Sequence, residues 1–295
     1  MKILVFGAGG QIGREVCRAG GLPRYDILPL DRKTLDITKS ASVGALLARQ
    51  KSDLAINLAA YTAVDRAESE PEAAWAVNCA GAAHIAAACL ESGTPLIHLS
   101  TDYVFDGRKA GPYREEDAVG PLGVYGCSKE AGERAVRAAL AQHVILRTAW
   151  VFGAHGANFV KTMLRLAAER SALRVVADQR GCPTAAADIA AALMVIAQHI
   201  ERGEAKWGTY HFAGSGAVSW HDFAEAIFDL AASQLPARPR VEPITTDEHP
   251  TPARRPMNSV LDCRKIEDVF GIVPTPWRVG LVSVIREVLD QASPM

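Results

Sequence analysis

The chain has 295 residues, 49% of them hydrophobic, with 32 basic and 33 acidic side chains and a net charge of −1. That is enough for a large core in one large domain or two closely packed lobes. The even balance argues against nucleic acid or an anionic membrane as the main partner. The first strand begins at residue 2, so no signal peptide is expected, and no uncharged apolar run reaches the roughly 18 residues of a membrane span.

Ile3–Phe6 reads as a buried strand that runs into Gly7, Gly10 and Gly13, with a helix over Gln11–Ala19. In such a turn the first glycine makes the tight bend and the second lets backbone approach a pyrophosphate. The third lets helix pack closely on strand. Strand, turn and helix stand in the required order, so a dinucleotide site around Gly7, Gly10, Gln11, Ile12 and Gly13 is preferred to a merely glycine-rich turn. Ile27–Leu30 is the second strand. Asp31 follows it where an acid would bind the adenosine ribose 2′-OH, which points to NADH. Arg32 is what a 2′-phosphate would want, which points to NADPH. The expectation is NADPH, with NADH also accepted. Asp36 and Ile37 would flank the adenine.

Val43–Arg49 reads as a helix and Leu54–Leu58 as the third strand, ending in Asn57–Thr62. Small residues there, Ala59 and Ala60, let a cofactor lie against backbone, with Tyr61 and Thr62 next in line. A long helix over Glu72–Glu91 precedes the fourth strand, Leu96–Ser100. The strand ends in Ser-Thr-Asp, where the Thr101 hydroxyl would bond a substrate carbonyl oxygen, although these residues are also good turn chemistry. Tyr125 and Lys129 lie four apart on a helix over Val124–Leu140 and so share one face. A phenol beside a fixed ammonium has its ionised form favoured, which predicts a lowered pKa for Tyr125. His143–Arg147 is the fifth strand.

Continuous apolar strands alternating with helices predict an α/β fold with a Rossmann-type doubly wound parallel sheet, its ligands beyond the carboxyl ends of the strands. Residues 1–150 read as the dinucleotide-binding domain, with a returning segment near 185–213. Residues 151–295 read mainly as a smaller α/β substrate-binding lobe. Helices are expected over Phe159–Arg170, Asp188–Glu201, Trp220–Ala232 and Trp277–Gln291. Strands are expected over Leu173–Ala177, Thr209–Phe212 and Val241–Ile244, and the Pro-rich stretch from Pro236 to Pro256 reads largely as loop. The six cysteines (Cys17, Cys79, Cys89, Cys127, Cys182 and Cys263) form no CxxC and no Cys/His cluster. They read as core thiols of a reducing cytoplasm.

The glycine turn, the strand-four hydroxyl and the YxxxK pair together resemble the extended short-chain dehydrogenase/reductase family. Five runs carry the likeness further: Thr62–Pro71 (TAVDRAESEP), Ser100–Gly107 (STDYVFDG), Asn158–Arg165 (NFVKTMLR), Asp178–Thr184 (DQRGCPT) and Pro250–Ser259 (PTPARRPMNS). Within that family they resemble the dTDP-4-dehydrorhamnose reductases over nearly the whole chain.

The resemblance implies hydride transfer from NAD(P)H to the C4 ketone of a dTDP-sugar, dTDP-4-dehydro-L-rhamnose, the last step toward a cell-surface polysaccharide precursor. It implies Tyr125 as the acid, Lys129 on the nicotinamide ribose, and Thr101 and Asp102 at the sugar. Trp150 would pack on the deoxysugar face and Arg254 or Arg255 would meet the diphosphate. Some members bridge a homodimer with Mg²⁺ through acidic side chains. Glu15 and Glu287 fall at matching places, but Ala187 stands where those members carry a Glu, so no metal is assigned. Two rival readings are a sugar-nucleotide dehydratase or epimerase and a non-catalytic regulatory subunit. Tyr103 in place of a dehydratase's Glu counts against the first, and the intact Thr101/Tyr125/Lys129 set against the second.

Overall fold

In strand β1 (Lys2–Phe6), Ile3 and Val5 enter one apolar cluster and Leu4 and Phe6 another, all four sealed from solvent. A strand sealed on both faces needs cover on both. The computed structural model, which describes residues 1–19, 24–235 and 237–292, shows that cover. β2 (Asp26–Leu30), β3 (Leu54–Asn57), β4 (Leu96–Thr101), β5 (His143–Thr148) and β6 (Gly208–His211) complete a parallel sheet in the order β6-β5-β4-β3-β1-β2. Helices Gln11–Ala19 and Ala186–Glu201 pack together over the Ile3/Val5 face. Helices Ser40–Gln50, Pro71–Ser92 and Val124–Ala139 cover the other.

The chain passes from β1 outward to β2 and then returns across β1 to β3, which pairs on its opposite side. The topological switch point therefore lies between β1 and β3, where ligands of doubly wound sheets bind.

The remaining residues build a smaller lobe. Ala172–Val176 pairs in parallel with Arg240–Ile244, and helices Phe159–Glu169, Trp220–Ala231 and Trp277–Ala292 enclose a core that includes Phe152, Leu164, Phe223, Phe228 and Leu281. The strand Arg240–Ile244 falls inside the Pro-rich stretch; Pro243 is tolerated there because the sheet has only two strands. Pro236 itself lies outside the described residues. The helix Arg264–Phe270 was not expected from the sequence. Nor were the two-residue ladders pairing Val151–Phe152 with Thr184–Ala185 and Arg180–Gly181 with Val218–Ser219. Elements that short leave no measurable periodicity. All six cysteines are free thiols.

Helix Pro71–Ser92 is long and apolar enough, by length and composition, to cross a membrane. Here Ile85, Ala86 and Cys89 from it join the sheet core. It is also not one regular helix: Ala76–Gly81 forms a π-turn. Asn78 within that turn accepts from the Tyr61 N–H at 2.8 Å, while its amide donates to the Tyr61 carbonyl and to Ser128. The Val124–Ala139 helix presses against this turn where a Cβ at Gly132 would lie 2.1 Å from the Asn78 carbonyl oxygen.

Gly132→Ala is therefore expected to lower unfolding free energy by about 1–3 kcal/mol through overpacking against backbone. Gly44→Ala, in a helix with open space around it, is the control and should be neutral or stabilising by up to about 1 kcal/mol. Urea unfolding of both variants checks the pair.

Candidate active site

The glycine turn opens a cavity of about 860 Å³ at the β1/β3 switch point, walled by Gly7, Gly9, Gly10, Asp31, Arg32, Lys33, Asp36, Ile37, Ala59, Ala60 and Tyr61 among others. Gly7 is required: its φ is +79°, and a Cβ there would sit 2.6 Å from the Ala59 nitrogen. Gly13 lies beneath the turn, its Cα hydrogen facing the Gly7 carbonyl so closely that a Cβ would come within 2.4 Å. Ile12 is buried in the core and Gln11 turns its amide oxygen to Asn158 Nδ2 at 2.8 Å. Their contribution at the cavity is thus limited to main-chain N–H groups of a helix N-terminus, which favour an anion. Thr62 is exposed and does not line the cavity.

The two residues that disagree about the cofactor are placed differently. Asp31 Oδ1 accepts from the Lys33 and Thr34 N–H groups and the Thr34 hydroxyl, which holds its carboxyl below the usual range. Arg32 is exposed on the cavity wall and forms no salt bridge among the described residues. Lys33, beside it on the same wall, is a second cation that the sequence reading passed over. Asp36 is likewise held low by Thr38. Tyr61 points its phenol at Glu70, 2.6 Å away.

At the carboxyl end of β4, Thr101, Asp102, Tyr125 and Lys129 come together. The Thr101 hydroxyl donates to Asp102 Oδ1 at 3.0 Å and accepts from the Tyr103 N–H at 3.2 Å. Asp102 is 2% exposed with its Oδ2 unpartnered, and burial pushes its carboxyl up to about 7. The Lys129 ammonium, 3% exposed, donates to the Leu99 carbonyl at 2.7 Å. Burial pushes it down to about 8, while Glu133 one turn further along opposes that shift.

The expected lowering of the Tyr125 pKa is not found. Burial pushes the phenol up to about 12, against a hydrogen bond with Thr101 that lowers it, and Asp102 adds to the rise. Burial disfavours the phenolate, and the Lys129 ammonium is engaged by a backbone carbonyl. A face shared at a spacing of four did not bring ammonium and phenol into partnership.

Under this cluster lies a sealed ion pair. Arg147 donates twice to Glu133, at 2.9 and 2.7 Å, and Arg137 adds a third bond at 3.0 Å. Burial alone would raise the Glu133 carboxyl, but Arg147 holds it at about 2.

Trp150, just beyond β5, reaches across to the second lobe and donates its indole N–H to Ser259 at 3.1 Å. Arg255 is already paired with Asp65 through two bonds, 3.1 and 2.8 Å, and is half-buried. Of the two candidate arginines, Arg254 is the exposed one. Glu15 pairs with Arg18 at 2.6 Å. Glu287 lies on the last helix, and among the described residues no group of three or more His, Cys, Asp or Glu is arranged to hold a metal ion.

The family model for the RmlD substrate binding domain matches residues 1–290. The chain belongs to this family. It is 48% identical over 289 residues to a dTDP-4-dehydrorhamnose reductase of Aggregatibacter actinomycetemcomitans, covering 96% of this chain and 98% of that one. A crystal structure of a dTDP-4-dehydrorhamnose reductase from Clostridium acetobutylicum superposes with a TM-score of 0.92 at 38% identity, over 97% of this chain and 99% of the other. The Bacillus anthracis enzyme of the same name, solved in complex with NADP, superposes with a TM-score of 0.89 at 37% identity over the same shares.

Sequence reasoning missed Asn78, Glu133, Ser259 and Lys33. Two of these had a readable signal: Glu133 as an acid four residues beyond Lys129 on the same helix face, and Lys33 as the neighbour of Arg32. Asn78 and Ser259 act through contacts distant in sequence.

The buried histidines set an acid limit. Burial, aided by Arg147, pushes His211 down to about 3, and burial likewise depresses His98. A histidine whose folded pKa lies below its unfolded value of about 6.5 is protonated first in the unfolded chain. Its contribution is intact above about pH 6.5 and is lost as pH falls toward the folded value. Unfolding free energy is expected to drop by about 1.4 kcal/mol per pH unit per such histidine below pH 6. Because the raised carboxyl of Asp102 gives a slope of opposite sign, denaturant unfolding at pH 7, 6 and 5 is compared between wild type and His211→Gln; equal slopes in the two proteins remove the neutral-histidine assignment.

Proposed function

We propose that this chain reduces the C4 ketone of dTDP-4-dehydro-L-rhamnose to dTDP-L-rhamnose with NADPH, and that NADH also serves. One observation carries the reading: Thr101, Tyr125 and Lys129 converge at the carboxyl end of β4, two strands from the glycine-lined cavity at the switch point, in a chain of this family. On this reading residues 1–150, with the returning segment near 185–213, hold the dinucleotide, and the later lobe holds the sugar. The near-even charge and the free thiols support a cytoplasmic enzyme without a nucleic-acid or membrane partner, and the reading leaves room for a homodimer.

The cavity fits the cofactor: its glycine cradle would be filled by a Cβ, and its volume is that of a small-molecule site. Gly7, Gly10 and the N–H groups after them would take the pyrophosphate, Ala59 and Ala60 would lie against the nicotinamide half, and Arg32 with Lys33 would meet a 2′-phosphate. Bound NADPH supplies the hydride.

The residues of this chain do the rest. A ketone receiving hydride builds negative charge on oxygen, and Tyr125 gives that oxygen its proton. The burial that raises the phenol keeps it protonated far above neutral pH, so the acid is loaded when the substrate arrives. Thr101 orients the carbonyl beside it. Lys129, fixed by the Leu99 carbonyl, holds the ribose hydroxyls. The unpartnered Oδ2 of Asp102 would be satisfied by a sugar hydroxyl, as buried polar atoms demand. No role is given to a metal.

An assay of NADPH oxidation with the keto-sugar, made in situ from dTDP-glucose by the upstream dehydratase and epimerase, tests the reading directly. Tyr125→Phe fills the same volume and removes only the proton. It should keep cofactor affinity and lose about 10²–10⁴-fold in turnover; turnover within about threefold of wild type removes Tyr125 from the acid role.

Arg32→Ala should weaken kcat/KM for NADPH by about 10- to 150-fold, the loss of a charged hydrogen bond, with NADH nearly unaffected. Equal loss for both cofactors, or for neither, assigns the choice to Asp31 and Lys33 instead.

A further inference from the structure

Trp150 adopts φ of +45°, in the left-handed region. A bulky side chain is a genuine outlier there, and such a backbone persists only where its surroundings over-determine it. Three contacts do so. The indole lies face to face with Trp220, ring centroids 3.5 Å apart and planes within 3°. Its N–H donates to Ser259, which is 2% exposed. Its edge presses on Gly181 so closely that a Cβ there would lie 2.3 Å from the ring.

These three holders are not independent of one another. The Arg180–Gly181 segment pairs in antiparallel fashion with Val218–Ser219, directly before Trp220. The same Arg180 bridges to Asn258, and its carbonyl accepts from the Ser259 N–H at 2.8 Å. Trp220 is fixed in turn. It is the first residue of a helix whose start is set by a Ser219/Asp222 capping box, and it packs on Phe159 with ring centroids 4.7 Å apart. One short segment thus gathers a socket whose occupant is a strained tryptophan.

The geometry points to Trp220 as a positioning residue for the nucleotide-sugar: with Gly181 and Ser259 it holds the Trp150 indole in its substrate-contacting pose before the sugar arrives. This rests on the reading that Trp150 meets the deoxysugar. Without Trp220 one face of the indole is released, and sugar binding must order a side chain that the wild type presents already ordered.

The test compares Trp150→Ala, Trp220→Leu and Trp220→Phe for their affinity for dTDP-L-rhamnose by calorimetry, together with KM and kcat for the keto-sugar and affinity for NADPH. Trp220→Leu is expected to weaken dTDP-L-rhamnose binding and raise the keto-sugar KM about 3- to 10-fold. NADPH affinity and kcat should stay within about twofold, and Trp220→Phe, which keeps an aromatic face, should recover most of the loss. Sugar affinity unchanged in Trp220→Leu overturns the inference, as does a Trp220→Phe variant no better than leucine. If Trp150→Ala itself binds the sugar normally, the substrate contact is wrong and the inference falls with it. A Trp150→Ala defect alongside a normal Trp220→Leu sinks the positioning role alone.

Discussion

The placement of the helix that carries Tyr125 and Lys129 depends on one buried ion pair. Glu133 and Arg147 are both shut off from water, and two charges in that position are tolerated only because they meet in a two-pronged bond with further donors filling the remaining lone pairs. Arg147 comes from β5 and Glu133 from the helix that carries Tyr125 and Lys129, so the pair fixes helix against sheet. The guanidinium also lies 5.1 Å from the Phe105 ring centroid, which ties in the loop after β4. Glu133, one turn away, offsets part of what burial takes from the Lys129 ammonium. Removing one partner would strand the other as an uncompensated buried charge, at a cost of about 3–5 kcal/mol.

The two lobes share an apolar seam, in which Val104, Phe105 and Ala149 pack with Cys182 and Leu261, and directed polar contacts flank it. Asp65 clasps Arg255 and accepts from the Ala253 N–H, Gln11 receives Asn158, and Trp150 reaches Ser259. Each link has one end in a segment bordering the cofactor cavity or the reacting residues.

Much of this was legible in the sequence. The parallel sheet announced itself because both faces of its inner strands are largely apolar, and the glycine turn because Gly7 and Gly13 each sit where no Cβ fits. The tyrosine and lysine were readable from spacing. Their electrostatics were not, since spacing gives no account of burial: the phenol rises where a surface pair would have made it fall. Arg255 illustrates another gap. An arginine in a Pro-rich loop looks available until a carboxylate far away in sequence is seen to hold it. The short ladders around Arg180 were invisible for want of length, although they gather Gly181, Trp220 and Ser259 about one ring.

The π-turn at Ala76–Gly81 has a consequence for how this chain can change. A π-turn carries one residue more than the α-helix it interrupts. Deleting a single residue there would restore regular winding and leave the two flanks nearly in phase, so Ile85 and Cys89 would keep their place against the sheet. What would be lost is the local bulge that turns Asn78 to Tyr61 and Ser128. The extra residue thus serves the wall of the cofactor cavity and not the core.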